Sequence, residues 1–198
     1  MAVHDSRNTR FTPEQGRLLV RLARNTIART LGKPLSHEDE LEKQLAGTPF
    51  DKKCGTFVTL NKNHQLRGCI GSLSSNASVS QGVRDNALNA AFHDPRFSSL
   101  SKDELDDVTI EVSVLTEPEL LSYVNAADLV SKLRPRVDGV ILSKGYARAT
   151  FLPQVWEQLP KPEDFLSHLC RKAGLSENEW KKSRLEVSTY QVEYFEEE

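Results

Sequence analysis

The spacing of apolar residues divides the chain into helical and extended stretches. Leu18, Leu19, Leu22, Ala23, Ile27 and Leu31 recur at helical intervals, the mark of an amphipathic helix with one buried stripe. Thr12-Pro13-Glu14-Gln15 gives it a capping hydroxyl, a first-turn proline and a glutamine able to return the capping bond. Gly32 supplies the stop. Ser36 to Leu45 predicts a short second helix that Gly47-Thr48-Pro49 ends. Gly55 to Leu60 then switches to the β-branched and aromatic content of a strand. Asn61 to His64 reads as a turn, and Gln65 to Ile70 as the returning arm of a hairpin.

Beyond the hairpin, Ser78-x-x-Gln81 opens a helix with a capping-box pattern, and Val83, Ala87, Ala90 and Ala91 form its apolar stripe. It ends near Phe92, because Asp94-Pro95-Arg96-Phe97 disfavours helical backbone before the proline and projects its charges from a turn. Ser101-x-x-Glu104 caps a short helix. Val108 to Val114 alternates as a strand with one wet face, and Glu117-Pro118 breaks it. Asn125 to Lys132 is helical. Gly139 to Leu142 and Tyr146 to Phe151 form a second hairpin around Ser143-Lys144-Gly145. Pro153 to Leu159 starts a short helix, Pro162 to Ala173 forms a longer one closed by Gly174, and Ser176-x-x-Glu179 caps a last one carrying Trp180. Leu185 to Phe195 reads as a C-terminal strand whose apolar face switches near Tyr190, the sign of a bulge or bend. Glu196 to Glu198 is an acidic end. There is no regular βαβ repeat, so the pattern predicts an α+β fold with largely antiparallel pairing and flanking helices.

Length and composition narrow the class. The 198 residues suffice for one large domain or two small ones sharing an interface. Apolar content of 38% with 27% charged residues suits a soluble globular chain. No stretch approaches the ~20 apolar residues that span a bilayer. Met1 to Arg10 is polar and lacks a signal core, so a cytoplasmic location is expected. A net charge of −2 gives no global attraction to nucleic acid or anionic lipid. Arg17, Arg21 and Arg24 form a basic helical stripe, read as a solvated face against the alternative of an RNA contact. Cys54, Cys69 and Cys170 include no C-x-x-C and read as reduced thiols.

The richest chemistry lies in Leu66-Arg67-Gly68-Cys69-Ile70-Gly71-Ser72-Leu73. Strict strand alternation would put Leu66 and Ile70 on one side and Arg67 with Cys69 on the other. A guanidinium on the same face as a thiol favours the thiolate. Gly71 permits a turn, and Gly68 and Gly71 could present N–H donors to an anion. Cys69 is therefore the candidate nucleophile, against the plain reading of a buried packing cysteine. Arg67 and Arg96 could together hold a carboxylate or phosphate. Asp94 could orient Arg96 or accept a proton, or simply make an Asx turn. His93 is a tempting base but reads as a turn histidine. Metal ligation is not expected: His64, Cys69, His93 and Asp94 lack any ligand spacing. His4, His37 and His168 read as surface residues, Cys54 and Cys170 as packing residues, and Trp156 and Trp180 as core or interface anchors.

LRGCIGSL, with GTFVTL before it and DPRF after it, resembles the AMMECR1 domain family. The resemblance continues through Asp138-Gly139-Val140, Ala149 to Val155, Phe165-Leu166 and Leu169 to Leu175, nearly the whole chain. In bacteria and archaea the family includes protein A of the AmmeMemoRadiSam system. The resemblance implies a Memo-like protein and a radical SAM protein as partners. No cofactor of the chain's own is expected from its residues; iron or copper chemistry would belong to a Memo-like partner. It implies one AMMECR1-type domain over 1–198, made of a larger α+β part and a smaller α+β subdomain, with the cysteine motif at a cleft. Thr150, Phe151 and Gln154 belong to a family motif and are expected to line it. Three functions follow as expectations. One is an accessory enzyme using Cys69, Arg67 and Asp94 on a small anionic substrate held by Arg67, Gly68, Gly71, Arg96, Thr150, Phe151 and Gln154. The others are a non-catalytic adaptor or ligand-binding module, and an RNA-binding or regulatory protein.

Overall fold

Two four-stranded sheets, largely antiparallel, carry the fold, each paired with its own helices. A computed structural model describes residues 11–35, 37–47, 49–73 and 76–197. His4, the polar stretch 1–10, Ser36, Thr48 and Glu198 lie outside the described residues. The chain forms two compact units. One takes the chain up to Leu115 and again from Glu193; the other is Thr116–Val192. The second unit is thus an insertion into the chain path of the first.

In the first unit, helix α1 (Pro13–Thr30) begins as its sequence predicts, with the reciprocal Thr12 and Gln15 bonds of a capping box. Helix α2 (Glu38–Gln44) is shorter than expected; His37 stands at its N-cap in the left-handed region at φ 48 and gives no side-chain cap. Strands β1 (Thr56–Lys62) and β2 (Gln65–Ser72) close through Asn63 and His64, both at positive φ, the backbone a two-residue hairpin turn requires. Helix α3 (Val79–Phe92) is capped by Ser78, but Gln81 bonds Asp85 instead of returning the capping bond. After a 3-10 turn (Asp103–Asp107), strand β3 (Val108–Leu115) pairs with β1 throughout its length.

The core of this unit is one contiguous apolar cluster. Leu19, Leu22, Ala23 and Ile27 of α1 meet Val83, Ala87, Ala90 and Ala91 of α3 over Val58, Leu60, Ile110 and Val112 of the sheet. The alanine stripe lets α3 lie close to the sheet. Asn86 bonds both the carbonyl and the hydroxyl of Thr56 at 2.9 Å. Gly68 faces the Ala90 carbonyl so closely that a Cβ would collide with it.

The second unit begins with a strand the sequence did not reveal, β4 (Glu119–Leu120), too short to show a period. Helix α4 (Ala126–Lys132) follows an Asn125 cap. Strands β5 (Gly139–Lys144) and β6 (Ala147–Phe151) form the expected hairpin. A 3-10 turn (Pro153–Glu157), α5 (Pro162–Lys172) and the four-residue α6 (Glu179–Lys182) come next. Trp156 stacks on Phe165 at 3.7 Å and donates its indole N–H to the Asp138 carbonyl at 2.7 Å.

The single C-terminal strand with a bend resolves into two strands. Strand β7 (Glu186–Tyr190) joins the second sheet, in the order β4-β7-β5-β6. Strand β8 (Val192–Glu196) joins the first, in the order β2-β1-β3-β8. The apolar face switches near Tyr190 because the chain changes sheets there.

Candidate functional site

Register decides where the cysteine goes. A regular hairpin closed by Asn63 and His64, continued from the Lys62↔Gln65 pair, would set Cys69 opposite Val58, a core residue. Instead the ladder shifts between Leu60 and Asn61: Leu60 pairs Gly68 while Asn61 pairs Leu66, leaving Arg67 as the extra residue of a β-bulge. A slip of one residue exchanges the two faces of a strand. Cys69 accordingly meets Thr59 and shares its face, whereas Gly68 and Ile70 turn to the core with Leu60 and Val58.

The bulge corrects the expected alternation. Leu66 lies with Asn61 on the Cys69 face, opposite to Ile70, and is 43% exposed. Arg67 does not follow the regular spacing to Cys69. Its guanidinium goes to Glu104, with Nε and Nη2 each 3.2 Å from a carboxylate oxygen, and it lies 5.9 Å from the centre of the Phe97 ring. Nη1 is buried without a hydrogen-bond partner. The charge expected to act on the thiol is neutralised by a carboxylate. Arg67 first, then the Ser101 amide, lowers the Glu104 carboxyl from 4.5 to about 2.

Cys69 is half-buried, whereas Cys54 and Cys170 are buried. The Thr59 hydroxyl lies 3.3 Å from the Cys69 sulfur, within donating distance. Thr59 also pairs with Glu111 on its other side, so Cys69, Thr59 and Glu111 form one row across three strands. Burial raises the Glu111 carboxyl above its ordinary value, with Glu196 adding to the effect and the Ser113 hydroxyl opposing it.

The DPRF turn holds the backbone of Cys69. Asp94 accepts the Cys69 N–H at 2.9 Å, and Arg96 donates to the Cys69 carbonyl at 3.1 Å. The same two side chains bond each other at 2.7 and 2.9 Å. Arg96 first, then the Cys69 amide, hold the Asp94 carboxyl well below the usual carboxylate range. Asp94 also accepts the Arg96 N–H at 3.1 Å, the Asx turn weighed from sequence. The Arg96 guanidinium lies 5.5 Å from the centre of the Phe97 ring. His93 ends α3, and its imidazole makes no hydrogen bond among the described residues.

The structure therefore brings Cys69, Asp94, Arg96 and Gly68 together, with Arg67 linked through Phe97. Gly71 packs under the Phe57 ring, where no Cβ would fit; its φ is not positive, so close approach and not a turn requires the glycine. Thr150, Phe151 and Gln154 belong to the second unit. There the Thr150 hydroxyl lies 3.2 Å from that of Tyr190, whose phenol burial pushes up to about 12. Phe151 meets Phe165 edge-on at 5.2 Å, under the Lys172 ammonium. Gln154 is exposed. Sequence reasoning missed Thr59, Phe97, Glu104 and Glu111. The first and last follow only from a register that depends on the bulge.

Among the described residues, no group of three or more His, Cys, Asp or Glu side chains could hold a metal ion, and no helix is long and apolar enough to cross a membrane. The basic stripe on α1 is divided. Arg24 binds Glu197 and the carbonyls of Leu105 and Val108, and Arg17 binds Glu14.

The fold and the motif-bearing hairpin define a two-sheet α+β class, which comparisons then place. The AMMECR1 family model matches residues 20–195, and the chain belongs to that family. A protein from Methanothermobacter thermautotrophicus is 38% identical over 192 residues, covering 93% of this chain and 95% of its own. One from Methanosarcina mazei is 36% identical over 188 residues, covering 94% of each chain. The crystal structure of an uncharacterized protein from Pyrococcus horikoshii matches with a TM-score of 0.76 at 33% identity, covering 96% of this chain and 95% of that one.

Proposed function

We propose that this AMMECR1-family protein is an accessory enzyme that uses Cys69 on a small anionic substrate, in a pathway with Memo-like and radical SAM proteins in the cytoplasm. One observation carries the reading: packing accounts for the other polar and glycine residues of the RGCIG motif and leaves the thiol over. Gly68 makes room for the Ala90 carbonyl, Gly71 for the Phe57 ring, and Arg67 is held by Glu104. The Cys69 backbone is fixed by Asp94 and Arg96. The sulfur, on the Thr59 face of a half-buried residue, meets the Thr59 hydroxyl at 3.3 Å. A thiol used as a nucleophile needs access and a nearby hydrogen-bond donor, and Thr59 provides the donor. On this reading Asp94 acts by holding Cys69, because its low proton affinity makes it a poor base at neutral pH.

The second reading is a ligand-binding or adaptor module. Both arginines are matched by carboxylates, Arg67 by Glu104 and Arg96 by Asp94, an arrangement that builds structure as readily as it serves chemistry. The test is a reconstitution with the Memo-like and radical SAM proteins, read by untargeted metabolite profiling. The enzyme reading expects Cys69→Ser to abolish the change in metabolites that the wild-type chain produces. Full activity of Cys69→Ser would overturn it. An unchanged metabolite profile and ligand affinity in Cys69→Ser, with both lost in Arg96→Ala, would establish the second reading. RNA binding is disfavoured by the division of the α1 stripe, and absence of salt-dependent RNA affinity would dismiss it.

A further inference from the structure

Strand β2 lies at the edge of its sheet. The outer side of an edge strand is a row of backbone groups with which another strand can pair. Here the row is interrupted twice. Arg67 is the extra residue of the bulge, which breaks the ladder locally. Two residues on, the outward N–H of Cys69 is taken by Asp94 at 2.9 Å and its carbonyl by Arg96 at 3.1 Å. One acceptor and one donor, locked together by an ion pair at 2.7 Å, thus reproduce the bonds that one residue of a neighbouring antiparallel strand would make. A residue with both backbone groups pointing outward can sit on a twofold axis, because the same residue of a second copy offers the matching donor and acceptor.

We propose that Asp94 and Arg96 form a side-chain plug in the β2 edge, and that the partner they exclude is the β2 strand of a second copy of this chain, paired antiparallel about Cys69. The plug combines two protections of edge strands: covering the open backbone groups, and placing a charge where a second sheet would approach. The charge is Arg96, whose side chain is 53% exposed, beside an Asp94 side chain that is 1% exposed. The excluded pairing has a chemical signature. Residues exchanging both backbone bonds across an antiparallel pair have Cα atoms about 5.5 Å apart and Cβ atoms at the wide end of about 4.5–5.5 Å, too wide for an unstrained disulfide but easily spanned by a short bis-maleimide. Two copies paired this way would bring their Cys69 thiols together. This proposal does not depend on any reaction at Cys69.

The experiment compares the full-length wild type with Asp94→Ala/Arg96→Ala and with Arg96→Ala alone. Mass is read by light scattering across a dilution series, folding by far-UV circular dichroism, and linkage by a short bis-maleimide with peptide mapping. Each maleimide adds one thiol across its C=C bond, sulfur to one carbon and the thiol proton to the other, so no oxidant is needed. The wild type is expected to give no Cys69-linked dimer. The double variant is expected to self-associate at least about tenfold more tightly, a shift of about 1.4 kcal/mol, and to link through Cys69. Arg96→Ala uncovers the carbonyl alone and should shift the same way by less. A folded double variant with the wild-type mass and no Cys69 linkage would overturn the proposal. A wild-type chain that already links through Cys69 would overturn it too. If the double variant does not fold, Arg96→Ala decides by the same readouts.

Discussion

The pairing of Arg67 with Glu104 should respond unequally to loss of its two members. The Arg67 side chain is 11% exposed, that of Glu104 27%. Replacing Glu104 by Gln leaves a nearly buried guanidinium uncompensated, with the Lys62 ammonium, 3.5 Å from Glu104, still nearby. Breaking buried pairs in this way costs roughly 3–5 kcal/mol; the remaining exposure brings the expectation to about 2–3 kcal/mol. Replacing Arg67 by Met removes a guanidinium with one unpartnered nitrogen and leaves a carboxylate that keeps Lys62 and the Ser101 N–H. That change should cost about 1 kcal/mol or less. The assay is urea unfolding of both variants at pH 7 and down a pH series. A carboxyl lowered from 4.5 to about 2 would contribute about 3 kcal/mol unscreened, and about 1 kcal/mol once its exposure is allowed for. Because the folded value lies below the unfolded one, the unfolded chain binds the extra proton. The contribution is complete above about pH 4.5 and is lost as pH falls towards about 2. Glu104→Gln should remove that part of the acid dependence. Equal costs for the two variants, or a larger one for Arg67→Met, would refute the assignment of Arg67 as the more deeply held charge.

Three further outcomes are expected. Gly68→Ala should destabilise by about 1–3 kcal/mol in urea unfolding, because the obstacle is the Ala90 backbone carbonyl and cannot rotate aside; an unchanged midpoint would contradict the packing of α3 on β2. Iodoacetamide under native conditions should label Cys69 well before Cys54 and Cys170, which are 6% and 0% exposed, with burial also pushing the Cys170 thiol up; peptide mass spectrometry showing all three labelled together would remove the distinction on which the proposed function rests. Tyr190→Phe should cost about 1 kcal/mol, since the phenol hydroxyl reaches the Phe151 carbonyl and the Thr150 hydroxyl from a buried ring; no change in stability would show those contacts to be idle.

Much of the architecture is legible where local chemistry and burial agree. The capping box at Thr12, the alanine stripe of α3, the alternation of β3 and the second hairpin all follow from residues that also fill the core. Legibility fails where a non-local choice decides. β4 is two residues long and exists because β7 offers it a partner. The C-terminal run keeps one strand-like composition while serving two sheets. Nothing local at Arg67 announces a bulge, yet that one extra residue sets which face receives Cys69. The motif was readable and its register was not. Thr59, the residue that meets the sulfur, could have been found by noticing that regular pairing would place Cys69 against the core residue Val58 and Gly68 against the polar Thr59. Glu104 was read only as a helix-capping residue, and it does fill that role, with its N–H bonded to Ser101 Oγ and its carboxylate bonded to the Ser101 N–H.

The charge arrangement constrains how an anionic substrate could be held. Arg67 and Arg96 each begin with a carboxylate partner, so an incoming anion would gain little unless it displaced one of them. Acid will not free Arg96 near neutral pH, because the contacts that tie Asp94 to it also keep Asp94 ionised. Displacement at Arg67 would strand Glu104 beside Lys62 and expose a buried pair to the cost worked out above. Arg96 is the more accessible of the two, half in solvent, and part of its guanidinium can bond outward without releasing Asp94. An anion that binds this hairpin should therefore depend on Arg96 far more than on Arg67. Its affinity should fall with salt, as an exposed charge pair requires, and stay flat between pH 6 and 8, where Asp94 and Glu104 both remain ionised. Isothermal titration of sulfate, a dianion throughout this pH range, against wild type, Arg96→Ala and Arg67→Met measures this directly. Equal losses in the two variants would mean that the Arg67–Glu104 pair opens, and that this account of the charges is wrong.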